Sequence, residues 1–68
     1  MIVIDKRWNT LLQAHEITYL ANTAADVDMS EVDQNCAAGS AILVIATESV
    51  WIKNTDGKWQ KSGTTEVL

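Results

Sequence analysis

Ser40-Ala-Ile-Leu-Val-Ile-Ala46, followed by Thr47-Glu48-Ser49-Val-Trp-Ile-Lys53 and Asn54-Thr-Asp-Gly57-Lys58-Trp59-Gln-Lys61, is the stretch that decides the fold. Its first segment is a continuous apolar run containing β-branched residues. Such a run reads as a strand covered on both faces. Thr47-Glu48 reads as a tight turn and Ser49–Lys53 as a second strand. Asn54, Asp56 and Gly57 give a strong turn signal: a type I turn closed by glycine in the left-handed region, a G1 bulge. Lys58–Lys61 is then a third strand. With a two-residue loop at Thr47-Glu48, Val44 faces Trp51 and Ile45 faces Val50. With a bulge at Gly57, Lys53 pairs with Trp59. A plain four-residue loop would put Trp59 opposite Ile52. In the bulged register Ile42, Val44, Trp51 and Trp59 share one face, with the stems of Lys53 and Lys61 over the rings. Leu43, Ile45, Val50 and Ile52 form the other. Both faces are apolar, which points to a partner surface.

Outward from this meander the signals weaken. Ile2-Val3-Ile4 reads as an edge strand or an extended arm. Trp8, Leu11, Leu12, His15 and Tyr19 fall on one stripe at helical spacing, and Thr10 with Gln13 matches a capping box. The spacing predicts a helix over 10–21. Ile17, Leu20 and Ala21 lie off the stripe, so either that helix is buried on two sides or Ile17-Thr-Tyr-Leu20 is extended. Residues 22–38 are polar, with Asp26, Asp28, Glu31 and Asp33 clustered. Asp28 or Ser30 could cap a short helix carrying Met29, Val32 and Cys36, stopped by Gly39; a loop is the other reading. From Gly63 the chain reads as a polar tail. The expected fold class is a small α+β domain: a three-stranded antiparallel meander over 39–62 with a short N-terminal helix or extended arm over 1–38.

Composition narrows the function classes. The chain has 68 residues, 47% hydrophobic and 21% charged, with a formal net charge of −4. This is a globular profile for one domain. The acidic balance argues against binding nucleic acid or anionic lipid, each of which needs a basic face. No apolar run approaches the roughly 20 residues a helical membrane span requires. The segment Met1–Arg7 does not read as a signal peptide, so synthesis in the cytosol is expected. A domain this small is marginal alone and usually needs a staple. With one cysteine, Cys36, and one histidine, His15, neither an internal disulfide nor a structural Cys/His zinc site can be built. Oligomerisation or docking on a larger partner is the remaining option.

Candidate chemistry is sparse. Asp26-Val-Asp28-Met-Ser30 opens like a calcium loop. Glu31 stands where that loop needs glycine, and Ala37 where it needs the closing glutamate. His15 has only Glu16 as a neighbouring carboxylate, which does not make a proton-transfer pair. Cys36 has no basic residue near it in sequence, so it reads as an inert thiol. We therefore expect no catalytic, metal or cofactor residues. Tryptophan is different: Trp8, Trp51 and Trp59 supply three of four aromatic residues, and tryptophan is enriched at interface hot spots. Trp8, Ile42, Val44, Trp51 and Trp59 are the candidate interface residues, with Asn54, Asp56 and Gly57 forming the turn.

The segment Gly39-Ser-Ala-Ile-Leu-Val-Ile-Ala-Thr-Glu-Ser-Val-Trp-Ile-Lys-Asn-Thr-Asp-Gly-Lys-Trp59 resembles a motif of tailed-bacteriophage virion proteins. That motif runs glycine-serine, apolar strand, short turn, aromatic strand, Asn/Asp-Gly turn, tryptophan. It is similar to head-fibre, decoration and other auxiliary capsid proteins, and covers about a third of the chain. These proteins often carry a proline before the glycine, where Asn35-Cys-Ala-Ala38 stands here. The resemblance implies a structural role without chemistry, located in the virion after synthesis in the host cytoplasm. The partners it implies are further copies of the chain, the major capsid protein or a tail protein. Gly39, Ser40, Val50, Trp51, Ile52, Asp56, Gly57 and Trp59 are the fold and contact positions it carries. A small acidic cytosolic regulator or inhibitor, mimicking nucleic acid through residues 26–33, is the rival reading.

Overall fold

The computed structural model describes all of residues 1–68. It is an all-β fold: one five-stranded mixed sheet and no helix longer than a single 3-10 turn. The strands are β1 (Ile2–Asn9), β2 (Ala14–Ala21), β3 (Ala41–Val44), β4 (Ser49–Lys53) and β5 (Trp59–Lys61), hydrogen-bonded in chain order. β1 and β2 form an antiparallel hairpin, β3 runs parallel to β2, and β3, β4 and β5 are antiparallel. The expected α+β class is thereby corrected. The three-stranded meander is present, but as one half of a larger sheet.

The helix expected over 10–21 does not form. The first turn of that helix is instead the tip of the β1–β2 hairpin, with Gln13 at φ 52°. The Thr10/Gln13 box is replaced by Asn9 Oδ1 accepting the Leu12 N–H at 2.9 Å. From Ala14 onward the pattern has period two: Ile17, Tyr19 and Ala21 are buried while Thr18 and Leu20 are half-buried between them. That alternation is the signature of a strand with one covered face. The helical stripe arose because Leu11 and Leu12, both exposed at the hairpin tip, happened to complete a spacing of three and four.

Parallel neighbours cannot be joined by a tight turn. Residues 22–40 therefore cross from the end of β2 back to the start of β3, over one face of the sheet. The short helix expected there reduces to two 3-10 turns, Ala24–Asp26 and Met29–Glu31. Asp28 does cap the second, its carboxylate accepting the Ser30 N–H at 2.9 Å. Val32 and Cys36 of the crossover are buried against Ile17, Tyr19, Ile42, Val44 and Trp59, with Val27, Met29 and Trp51 packed at the margin. This is the core, and Ile42 at its centre is 0% exposed. Full burial of such a side chain contributes about 1.5–3 kcal/mol.

The crossover is tied down by side chains as well as packing. The Tyr19 hydroxyl accepts the Asp33 N–H at 3.0 Å. Lys53 Nζ donates to the carbonyls of Cys36 (2.8 Å) and Gln34 (3.1 Å). Ser40, 1% exposed, accepts the Ile17 N–H at 3.0 Å and donates to the Ala37 carbonyl at 2.7 Å. Just before it, Gly39 has φ +96°, and a Cβ there would come within 3.2 Å of Glu16 Oε1.

In the meander, Ile42 pairs with Trp51, Leu43 with Val50 and Val44 with Ser49. The connection is thus a four-residue turn over 45–48, with Glu48 at φ 53°, rather than a two-residue turn at Thr47-Glu48. The pairing moves by two positions, so every side chain keeps its expected face. At the second turn Lys53 pairs with Trp59 and Gly57 has φ +80°, as the bulged register requires. Asn54 organises this turn: its Oδ1 accepts the Asp56 and Lys58 N–H groups at 3.0 and 2.9 Å. Residues 63–68 return along β5, where the Lys61 N–H donates to the Glu66 carbonyl at 2.8 Å and the Leu68 N–H to the Trp59 carbonyl at 2.9 Å.

Removing the Ser40 hydroxyl leaves the buried Ile17 N–H without an acceptor, a cost of about 1–3 kcal/mol. Ser40→Ala is expected to lower Tm by roughly 4–8 °C for each kcal/mol lost, measured by circular dichroism. An unchanged Tm would show that the bridge does not hold the crossover.

Candidate interaction surface

The sheet has two faces with different fates. The crossover encloses one, and with it Ile42, Val44 and Trp59, which are 0%, 3% and 6% exposed. Trp51 is half-buried on the same face. Of the five candidate interface residues only Trp8 stands mainly in solvent, 56% exposed. It lies on the hairpin, where its ring meets His15 edge-on at 5.0 Å. Ile42, Val44 and Trp59 are thus contacts within the chain.

The opposite face has no covering layer. Strand register places Ile2, Leu20, Leu43 and Val50 side by side in one row across four strands. The neighbouring row is Asp5, Thr18, Ala41, Ile52 and Gln60, with the one charged group at its β1 end. The next position of the parallel ladder belongs to Ile45, whose N–H donates to the Ala21 carbonyl. Ile2, Ile45 and Ile52 are 62%, 54% and 38% exposed. At the far side Val67, bridged to Gln60 and 47% exposed, extends the same surface. A continuous apolar surface of this kind marks a contact site more often than isolated exposed residues do. Leu43, Ile45, Val50 and Ile52 could be assigned to one face from sequence. Ile2 and Leu20 could not, because their place depends on β1 and β2 joining the sheet.

The polar groups are occupied structurally. Asp26 Oδ2 accepts the Thr23 N–H, Asp28 Oδ1 accepts both the N–H and the hydroxyl of Ser30, and Asp33 Oδ1 accepts the Asn35 N–H. These carboxylates shape the crossover turns, and no three His, Cys, Asp or Glu side chains converge in a metal-ligating cluster. Cys36 is buried. The fold brings it a basic neighbour that sequence proximity did not reveal, Lys53, with Nζ 3.8 Å from Sγ. That ammonium is already directed at two carbonyls. The surface concavities, about 220–250 Å³, fall below the roughly 300–1,000 Å³ of small-molecule sites. No helix is long and apolar enough to cross a membrane. Compared with protein-family models, curated proteins and solved structures, the chain matches none.

One carboxylate has a displaced titration. Hydrogen bonds from the Ser30 side chain and then its backbone hold Asp28 below its ordinary value of 3.8. A depressed folded-state pKa stabilises the cap above the unfolded value, and that contribution is lost as pH falls through the folded one. Carboxyl NMR is expected to find the Asp28 midpoint below 3.8 and to find it returning toward that value in Ser30→Ala. A midpoint unaffected by that substitution would refute the assignment.

Proposed function

We propose that this protein is a non-enzymatic structural component of a bacteriophage virion, a head-associated decoration, fibre or auxiliary capsid protein that acts through protein–protein contacts. The observation that carries the reading is the uncovered apolar face formed by Ile2, Leu20, Leu43, Ile45, Val50 and Ile52. A surface of that character is suited to contact with protein. The resemblance of Gly39–Trp59 to virion proteins supplies the context. Its glycine-serine opening coincides with the Gly39–Ser40 junction at the crossover, and its Asn/Asp-Gly turn with the β4–β5 connection.

The rival, an acidic regulator that imitates nucleic acid, draws on Asp26, Asp28, Glu31 and Asp33, all exposed on the crossover. Three of these carboxylates are engaged by neighbouring backbone N–H groups. A phosphate mimic needs its charges free and regularly spaced along a duplex-like path, so we favour the virion reading.

Mass spectrometry of purified particles tests it. The chain is expected in stoichiometric amounts with the major capsid or tail protein, retained through high-salt washing because apolar contacts are not screened. Recovery only in the soluble fraction of infected cells would overturn the reading.

A further inference from the structure

We propose that the Asp56–Gly57 bond is a site of spontaneous backbone isomerisation, converting aspartate to isoaspartate, and that Asn54 sets its rate by holding the β4–β5 turn closed. The reaction joins neighbouring groups of one chain. The Gly57 backbone nitrogen attacks Asp56 Cγ and a carbon–nitrogen bond forms. The nitrogen gives its proton to solvent, and the carboxyl hydroxyl takes up a proton and leaves as water. The product is a succinimide ring. Water then adds to either ring carbonyl and breaks its bond to nitrogen. One outcome is the original aspartate. In the other the main chain runs through Asp56 Cβ, and the former backbone carbonyl carbon is a free carboxylate. The water lost in the first step returns in the second, so mass is unchanged and no co-reactant is needed.

Two observations single out this bond. Asp56 is the only aspartate followed by glycine, and none of Asn9, Asn22, Asn35 and Asn54 precedes one. A side chain on the following residue hinders the approach of that residue's nitrogen; glycine has none. Nothing lies within 4 Å of where a Gly57 Cβ would stand, so the ring has room. The second observation is the state of the carboxylates. Asp26, Asp28 and Asp33 accept the N–H groups of Thr23, Ser30 and Asn35, and Asp5 is paired with Arg7. Each is held by a partner other than the nitrogen that follows it. The Asp56 carboxylate has no such partner, and Asp56 and Gly57 are both exposed.

The closed turn opposes the reaction. The Gly57 N–H donates to the Asn54 carbonyl at 3.1 Å, so the attacking nitrogen is committed elsewhere. Asn54 Oδ1 fixes the flanking N–H groups of Asp56 and Lys58 at 3.0 and 2.9 Å. The Asn54 N–H donates to the Lys58 carbonyl at 2.7 Å. All four bonds converge on Asn54. Attack on Cγ requires the Gly57 bond to open, so the folded-state rate scales with the open fraction of the turn. An extra main-chain atom at Asp56 would alter the span between Lys53 and Trp59, which pair across the turn. Trp59 is 6% exposed in the core, so the modification is aimed at the margin of the packed interior.

The test is incubation of the folded full chain at mildly acidic pH over weeks. Trypsin then releases residues 54–58, whose aspartyl and isoaspartyl forms separate by chromatography and are told apart by fragmentation. Isoaspartate is expected at Asp56 before any other aspartate, and more slowly than in a synthetic peptide of residues 53–59. Asn54→Ala is expected to raise the rate about fivefold, the factor equivalent to one net hydrogen bond, while keeping the circular dichroism of the wild type. Asp56→Glu is expected to abolish the product, because attack would then have to close a larger ring. Should Asn54→Ala fail to fold, Asn54→Ser, a residue that this turn position accepts, shortens the acceptor and is expected to accelerate the reaction in the same direction. A folded chain that stays unconverted while the peptide reacts, earlier isoaspartate at another position, a folded rate equal to the peptide's, or a rate indifferent to substitution of Asn54 would each overturn the proposal.

Discussion

The Ser40 hydroxyl stands in for a strand. β2 begins at Ala14, but β3 joins it only from Thr18 onward. The Ile17 N–H therefore points into the interior at a place where the ladder has no carbonyl to offer. Ser40 accepts that hydrogen and passes its own to Ala37. An unsatisfied buried amide costs as much as a good fraction of the stability of a domain this size. The same hydroxyl fixes the end of the crossover to the start of β3, and thereby the parallel register that unites the hairpin with the meander.

Everything on the covered face follows from that junction. The crossover has almost no regular structure, so its backbone groups need individual partners. Tyr19 and Lys53 provide several of them while burying their own apolar stems. No buried side-chain nitrogen or oxygen is left without a partner. A loop built this way can serve as the second layer of the fold, in place of the helix that usually covers a parallel pair. It serves one face. Its cover extends over β2 to β5 and stops short of β1, where Val3 and Trp8 on the same face remain exposed.

The meander was legible because its cues are local. The Asn54–Gly57 turn depends on side-chain and glycine geometry within four residues, and alternation in 42–52 assigns faces under either loop length. The N-terminal half was not legible because its cues compete. Leu11 and Leu12 at a solvent-exposed hairpin tip imitate a helical stripe, and Thr10 with Gln13 imitates a cap. The alternation of Ile17, Tyr19 and Ala21, flanked by Thr18 and Leu20, was the stronger signal. Four apolar residues among those five concealed it. Side-chain burial among Ile42, Val44 and Trp59 depends on a crossover with no helical or strand periodicity, so composition alone could not say which face it would take. Lys53 reaching Cys36 is likewise a product of tertiary geometry.

The parallel join also shapes how the molecule must assemble itself. The β1–β2 hairpin and the β3–β5 meander each close through short connections, events of the microsecond class. Uniting them demands that residues 22–40 fold back on the sheet before β2 and β3 can pair, and the entropy of closing that loop is spent ahead of any reward from the core. The contacts that hold the loop closed are those of Ser40 with Ile17 and Ala37 and of Tyr19 with Asp33, so the cost of closure falls on the same groups that join the two parts of the sheet.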